Sequence, residues 1–151
     1  MIAPIALLLT AGAFPDGAPW GHAGAPQTDT CAGCHWDNAP EDGSPRLSLD
    51  GLPDRFVPGE RYEISVELAD SGAVNGYQLA ASHGRFEAGS SASEAEGAAV
   101  RSTRPQGSWP VVWIAGNARE PVRFWLAAID ANDDASALGD RVLLNTFESL
   151  P

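Results

Sequence analysis

The strongest constraint in this chain is a five-residue run, Cys31-Ala-Gly-Cys-His35, set in a stretch that carries little other folding information. From 14 to 45 the chain is rich in Gly, Ala, Pro, Asp and Asn with little hydrophobic periodicity, which is loop composition. Both cysteines of the protein lie inside it. Something other than a hydrophobic core has to order this stretch, and a ligand that binds only the folded form does so by mass action.

Cys-x-x-Cys-His is the spacing of c-type haem attachment. Two thiols separated by two residues reach the two vinyl groups on one porphyrin edge as thioethers, and the next residue places an imidazole under the iron. Cys31 and Cys34 are therefore expected to hold one covalent haem c, with His35 as proximal ligand. Trp20 and Trp36 flank the motif and could cover a porphyrin, although ordinary packing explains either one alone.

Three other readings of the pair compete. A redox disulfide of the thioredoxin kind sits at a helix start after a strand in a βαβ unit, a pattern missing here. A closed zinc site needs four protein ligands, and only His22 and His83 remain as further nitrogen donors. A short structural disulfide between Cys31 and Cys34 in an exported protein is the main competitor.

The sixth ligand cannot be a methionine of the mature chain, because the sequence has only Met1. His83 ends an apolar strand that could project it into a pocket, and His22 lies nine residues before Cys31, close enough to fold back. His83 is preferred over His22, with a vacant or water-ligated position as the further option. Bis-histidine ligation implies a low-spin haem of lower potential than a His/Met centre.

The first residues, Met1 to Ala13, read as the apolar part of a secretory signal, with Ala11-Gly12-Ala13 as a small-residue cleavage site and Ala18 as a second candidate. The run has no Lys or Arg ahead of it, which departs from the pattern, and it is too short and Pro-interrupted to span a bilayer. A buried N-terminal strand or helix is the alternative. Periplasmic or extracellular location is expected, consistent with haem attachment outside the cytoplasm. The net charge of −11 excludes a general nucleic-acid binder and disfavours anionic lipid. All nine basic residues are Arg, and the acidic surface would keep the protein soluble or dock a basic redox partner.

From Leu47 onward short strand-like runs alternate with turn residues. Arg61 to Leu68 places Tyr62, Ile64, Val66 and Leu68 on one face. Further strands are expected at 76–83, 108–114, 121–129 and 141–147. Pro110 suggests an edge position or a bulge for the third of these five. A turn is expected at 70–72, a Ser/Gly/Ala/Glu loop at 88–98, and an acidic turn at 130–134. Many short strands without convincing helices argue for an all-β sandwich. The chain is expected to divide into a signal peptide (1–18), a haem-binding segment (19–45) and a β-sandwich domain (46–151).

These residues resemble a family of exported bacterial proteins that place one haem motif before a reelin-like (Reeler-like) β-sandwich. Gly24-Ala-Pro26 before the Cys pair, Pro58-Gly59 before Tyr62, and Gly76-Tyr-Gln-Leu79 carry the resemblance. So do Trp109, Trp113, Phe124, Ala131-Asn132 and Gly139-Asp140, which together span roughly 24–147. The resemblance implies an immunoglobulin-like sandwich, with Cys31, Cys34 and His35 as haem attachments and proximal ligand. Relatives often carry a His before the tryptophan strand where this chain has Ser102-Thr103, which raises the stake on His83 or His22.

Asp130, Asn132, Asp133, Asp134 and Asp140 concentrate oxygen donors of the kind calcium prefers. Their spacing is not that of an EF-hand, and an Asn/Asp-rich hairpin explains them more simply. No proton-transfer residue or substrate pocket stands out, so an electron carrier rather than an enzyme is expected. Its partner would be a redox protein, with a membrane electron-transfer complex among the candidates. A surface-interaction domain with a Cys31–Cys34 disulfide is the class-distinct alternative, and an open-iron sensor or peroxidase-like site is the other.

Overall fold

The computed structural model describes residues 17–151, so the apolar leader-like run and its Ala11-Gly12-Ala13 site lie outside the described residues. A single 3-10 turn, Cys31–Gly33, precedes ten strands. They are β1 (Glu41–Asp42), β2 (Leu47–Asp50), β3 (Arg61–Leu68), β4 (Val74–Ala81), β5 (Arg85–Ala88), β6 (Ser93–Glu96), β7 (Ala99–Ser102), β8 (Ser108–Ile114), β9 (Val122–Ala131) and β10 (Arg141–Ser149). Six of them form one sheet in the order β1-β10-β9-β4-β7-β6, and four form the second in the order β2-β3-β8-β5. The short β1 runs parallel to β10, while the long neighbours β4, β9 and β10 pair antiparallel.

The period-two pattern of β3 is realised as expected: Ile64, Val66 and Leu68 are buried while Arg61 and Glu63 are exposed. Alternation continues in β9, where Phe124, Leu126 and Ala128 join the core between the sheets. At the centre of that core Trp113 meets Phe124 edge-on, with centroids 4.9 Å apart at 80°, and stacks on Tyr62 at 5.6 Å. Aromatic rings favour these edge and offset geometries because of their quadrupoles. The two buried indoles keep their N–H groups bonded: Trp113 Nε1 donates to the His83 carbonyl and Trp109 Nε1 to the Arg104 carbonyl.

Two expectations need correction. The stretch 88–98 is not all loop, because Ser93–Glu96 forms β6 and pairs with β7. Its polar composition reflects an edge strand whose outward side chains face solvent. Pro110 does not mark an edge, since β8 lies between β3 and β5. The Pro110 carbonyl accepts from Gly89 N, so the absent N–H points to the same side, just past the last β5 pair, Ala88–Val111. No ladder donor is needed there. Gly89 lets the backbones approach, as a Cβ there would collide with the Pro110 carbonyl.

Trp113 is fully buried and packs against the rings of Phe56, Tyr62 and Phe124. Replacing it by Ala is expected to destabilise the fold by about 3–5 kcal/mol, the usual range for emptying so large a core site. Urea denaturation followed by far-UV circular dichroism measures this.

Candidate functional site

The outer face of the six-stranded sheet is not bare. Gln78, Ala127 and Val142 are 2%, 0% and 1% exposed, yet they lie outside the core cluster formed by their strand neighbours Leu79, Leu126 and Leu143. Side chains alternate across a strand, so these three point away from the core and must be covered from the other side. The cover is the segment before β1. Gln78 Nε2 donates to the Pro19 carbonyl at 2.6 Å and its Oε1 accepts from His22 N at 2.8 Å. One strand over, Arg101 donates to the Ala18 carbonyl, and its guanidinium lies 4.4 Å from the Trp20 ring centre. A buried amide with both ends satisfied thus clamps an otherwise structureless stretch.

From there the chain folds on itself. Ala23 and Thr30 form an antiparallel bridge, closed by Gly24 N to Asp29 O and Asp29 N to Gly21 O. Thr30 caps the following turn by accepting from Ala32 N at 3.2 Å. Cys31–Gly33 coils as the 3-10 turn, and the N–H groups of Cys34 and His35 both donate to the Cys31 carbonyl. Cys31, Cys34 and His35 therefore stand at the first, fourth and fifth positions of one coil. Both cysteines are free thiols, and Cys34 is exposed.

His35 is held from the other side. Its Nδ1 lies 2.6 Å from Asp140 Oδ2, and the Asp140 side chain is only 1% exposed. Asp140 sits just before β10. Its other oxygen accepts from Asn132 N at 2.9 Å, and its carbonyl accepts from Asn38 Nδ2 at 2.9 Å. Gly139 N donates to Asp37 Oδ2 at 2.6 Å. The residues on either side of this seam, Trp36 and Leu138, are large and apolar yet 70% and 49% exposed.

Burial pushes the Cys31 thiol up to about 12, with the nearby Cys34 and Asp29 adding to it against a backbone hydrogen bond. A thiol so hard to ionise is a poor nucleophile for disulfide exchange.

The structure separates the two remaining histidines. His83 follows the Ala81 end of β4, beside Arg123, Glu120 and Trp125, whereas His35 lies at the Asp140 end, where β4 begins with Val74 opposite Ala131. The eight residues of β4 set those ends about 23 Å apart at ~3.3 Å per residue. His83 therefore does not share a site with His35, because two ligands of one iron face each other across a few ångström. A period-two pattern says which face a strand residue takes but not which end of the sheet lies near a distant loop. His22 does belong to the segment that carries the motif. Its Nδ1 donates to the Pro19 carbonyl at 3.0 Å, which leaves Nε2 as the lone-pair nitrogen of the neutral ring.

The acidic turn is consumed by its own hydrogen bonds. Asp130 pairs with Arg46 at 2.6 Å and accepts from Gly72 N. Asp134 accepts from Ser136 N and from the Asn132 amide. Among the described residues no group of three His, Cys, Asp or Glu side chains converges on a metal-sized point. Asp140 and Gln78 are the residues whose roles the sequence left unseen. Both were visible only as members of turn-like or strand-like motifs, and neither spacing hints at a partner over fifty residues away.

No family model matches the sequence, and no curated protein matches it either. Among solved structures the sandwich is similar to the human F-spondin reeler domain, with a TM-score of 0.59 at 17% identity, covering 75% of this chain and 94% of that one. A second structure, the Reelin-N domain of F-spondin, gives the same TM-score and identity over 77% of this chain and 93% of that one. A likeness at this identity is one of architecture, and it gives the chain a Reeler-like β-sandwich fold.

With both thiols reduced and no haem attached, Cys34 is expected to react with an aromatic disulfide reagent at pH 8 at least about a hundredfold faster than Cys31, because only the thiolate attacks. The Cys31 rate should climb as pH rises toward its raised pKa, and unfolding should equalise the two. Equal rates in the folded protein would contradict the raised pKa of Cys31.

Proposed function

We propose that this protein is an exported carrier of one covalent haem c, attached at Cys31 and Cys34 and ligated by His35, that works in electron transfer. The observation that carries the reading is the coil on which two free thiols and a histidine stand together, with the histidine's Nδ1 already taken by Asp140. That hydrogen bond leaves Nε2 as the ring nitrogen able to ligate a metal. The residues fit the group in two further ways: Trp36, next to His35 in the chain, and Leu138, two residues before Asp140, offer uncovered apolar surface, and a thioether at Cys31 needs no ionised sulfur.

When bound, the haem would supply one-electron chemistry between ferric and ferrous iron. The chain's own part is to anchor, orient and expose. Cys31 lies toward the protein and Cys34 toward solvent, so a group held by both would keep one edge at the surface. A surface edge suits exchange with a partner protein, and the acidic charge of −11 suits a basic one. His22 is the favoured sixth ligand, since it lies in the segment folded against the motif and presents Nε2. Export rests on the apolar N-terminal run. No helix among the described residues is long and apolar enough to cross a membrane.

Made in a host competent for c-type haem maturation, the protein should be red and show a sharp α-band in its reduced-minus-oxidised spectrum, with colour that survives acid-acetone extraction. His22→Ala should convert low-spin ferric haem to high-spin, whereas His83→Ala should leave the spectrum unchanged. A colourless product would overturn the haem reading and leave a sandwich bearing a Cys31–Cys34 disulfide as the working description.

A further inference from the structure

Asp140 is the one carboxylate of the β9–β10 connection that is almost wholly buried, at 1% exposure. Burying an ionised carboxylate is costly unless it is paired and hydrogen-bonded. Asp130 next to it has Arg46, but among the described residues no arginine pairs with Asp140, and the chain has no lysine. Its two oxygens are used by a neutral backbone donor, Asn132 N, and by the His35 ring at 2.6 Å. Among the described residues, His35 is therefore the one ionisable side chain paired with this carboxylate.

We infer that Asp140 is a positioning residue for the iron site: it holds His35 with Nδ1 protonated and Nε2 turned outward, and it lowers the reduction potential of a haem iron on that nitrogen. This rests on His35 being the proximal ligand. A carboxylate that accepts from Nδ1–H strengthens the donation of Nε2 to a metal. Its buried charge also favours the more positive, oxidised state, because attraction across a short path of low dielectric is weakly screened. The support behind Asp140 is rigid: it immediately precedes the nine-residue strand β10, and its Oδ1 accepts from Asn132 N at 2.9 Å.

The experiment is redox titration of the haem-bearing protein and three variants. Asp140→Asn keeps the side-chain shape and an acceptor for Asn132 N, but it turns an amide N–H toward His35. It should raise the midpoint potential enough to change the reduced-to-oxidised ratio at a fixed poise about tenfold, which for one electron is about 59 mV. Asp140→Glu, which restores the charge, should recover part of the shift. Asn38→Ala loosens the same seam without touching the imidazole and should leave the potential unchanged. A second reading needs no variant: in the reduced protein, nitrogen-15 NMR should show the His35 Nδ1 proton bonded and slow to exchange. An unchanged potential in red Asp140→Asn protein, an equal shift in Asn38→Ala, or an absent Nδ1 proton would overturn the inference while leaving the carrier reading intact. A parent protein without covalent haem would overturn both.

Discussion

A buried carboxylate cannot be left without partners in a protein interior, and Asp140 meets that requirement by gripping two parts of the chain at once. Through Asn132 N it closes the connection between β9 and β10. Through His35 it pulls in a segment of loop composition more than a hundred residues earlier in the chain. Neighbouring bonds from Asn38 and Asp37 run along the same seam. The cost of stranding the charge makes the joint far more specific than apolar contact between Gly, Ala and Pro residues would be.

Gln78 performs the matching task in the middle of the sheet. An amide on the outer face of β4 would be a liability in an open sandwich, since its two ends would have to find water or partners. Here Pro19 and His22 supply both. The six-stranded sheet consequently has two covered faces: one packs Phe124 and Leu126 against the tryptophans, and the other lies under the segment that carries the cysteines. The motif is thus mounted on a rigid sheet although its own sequence is irregular. Rigid mounting, with Nδ1 held by Asp140, makes the orientation of the His35 ring reproducible.

Much of the sandwich was legible because its longest strands follow the simplest rule. β3 and β8 coincide with the runs read from alternation and aromatic content, and β4, β9 and β10 differ only at their ends. The short strands β1, β2, β5, β6 and β7 were not legible individually, since two to four residues hold too few alternations to stand out from turns. Pro110 misled for a related reason. A proline forbids a donor on one side of a strand, and only the length of the neighbouring β5 reveals that none is required there.

By itself the sequence determined the chemistry that is available: two thiols and an imidazole at fixed spacing, no internal methionine, an acidic surface and enough alternating strands for a β-sandwich. These are local properties, set by residue identity and by periodicities of a few positions. Only the tertiary structure decided which distant groups meet. It placed Asp140 against His35, Gln78 under His22, and His83 at the opposite end of β4 from the motif. Sheet register and the covering of the outer face fix those distances, and both are products of packing between strands far apart in the chain, on which local pattern carries no information.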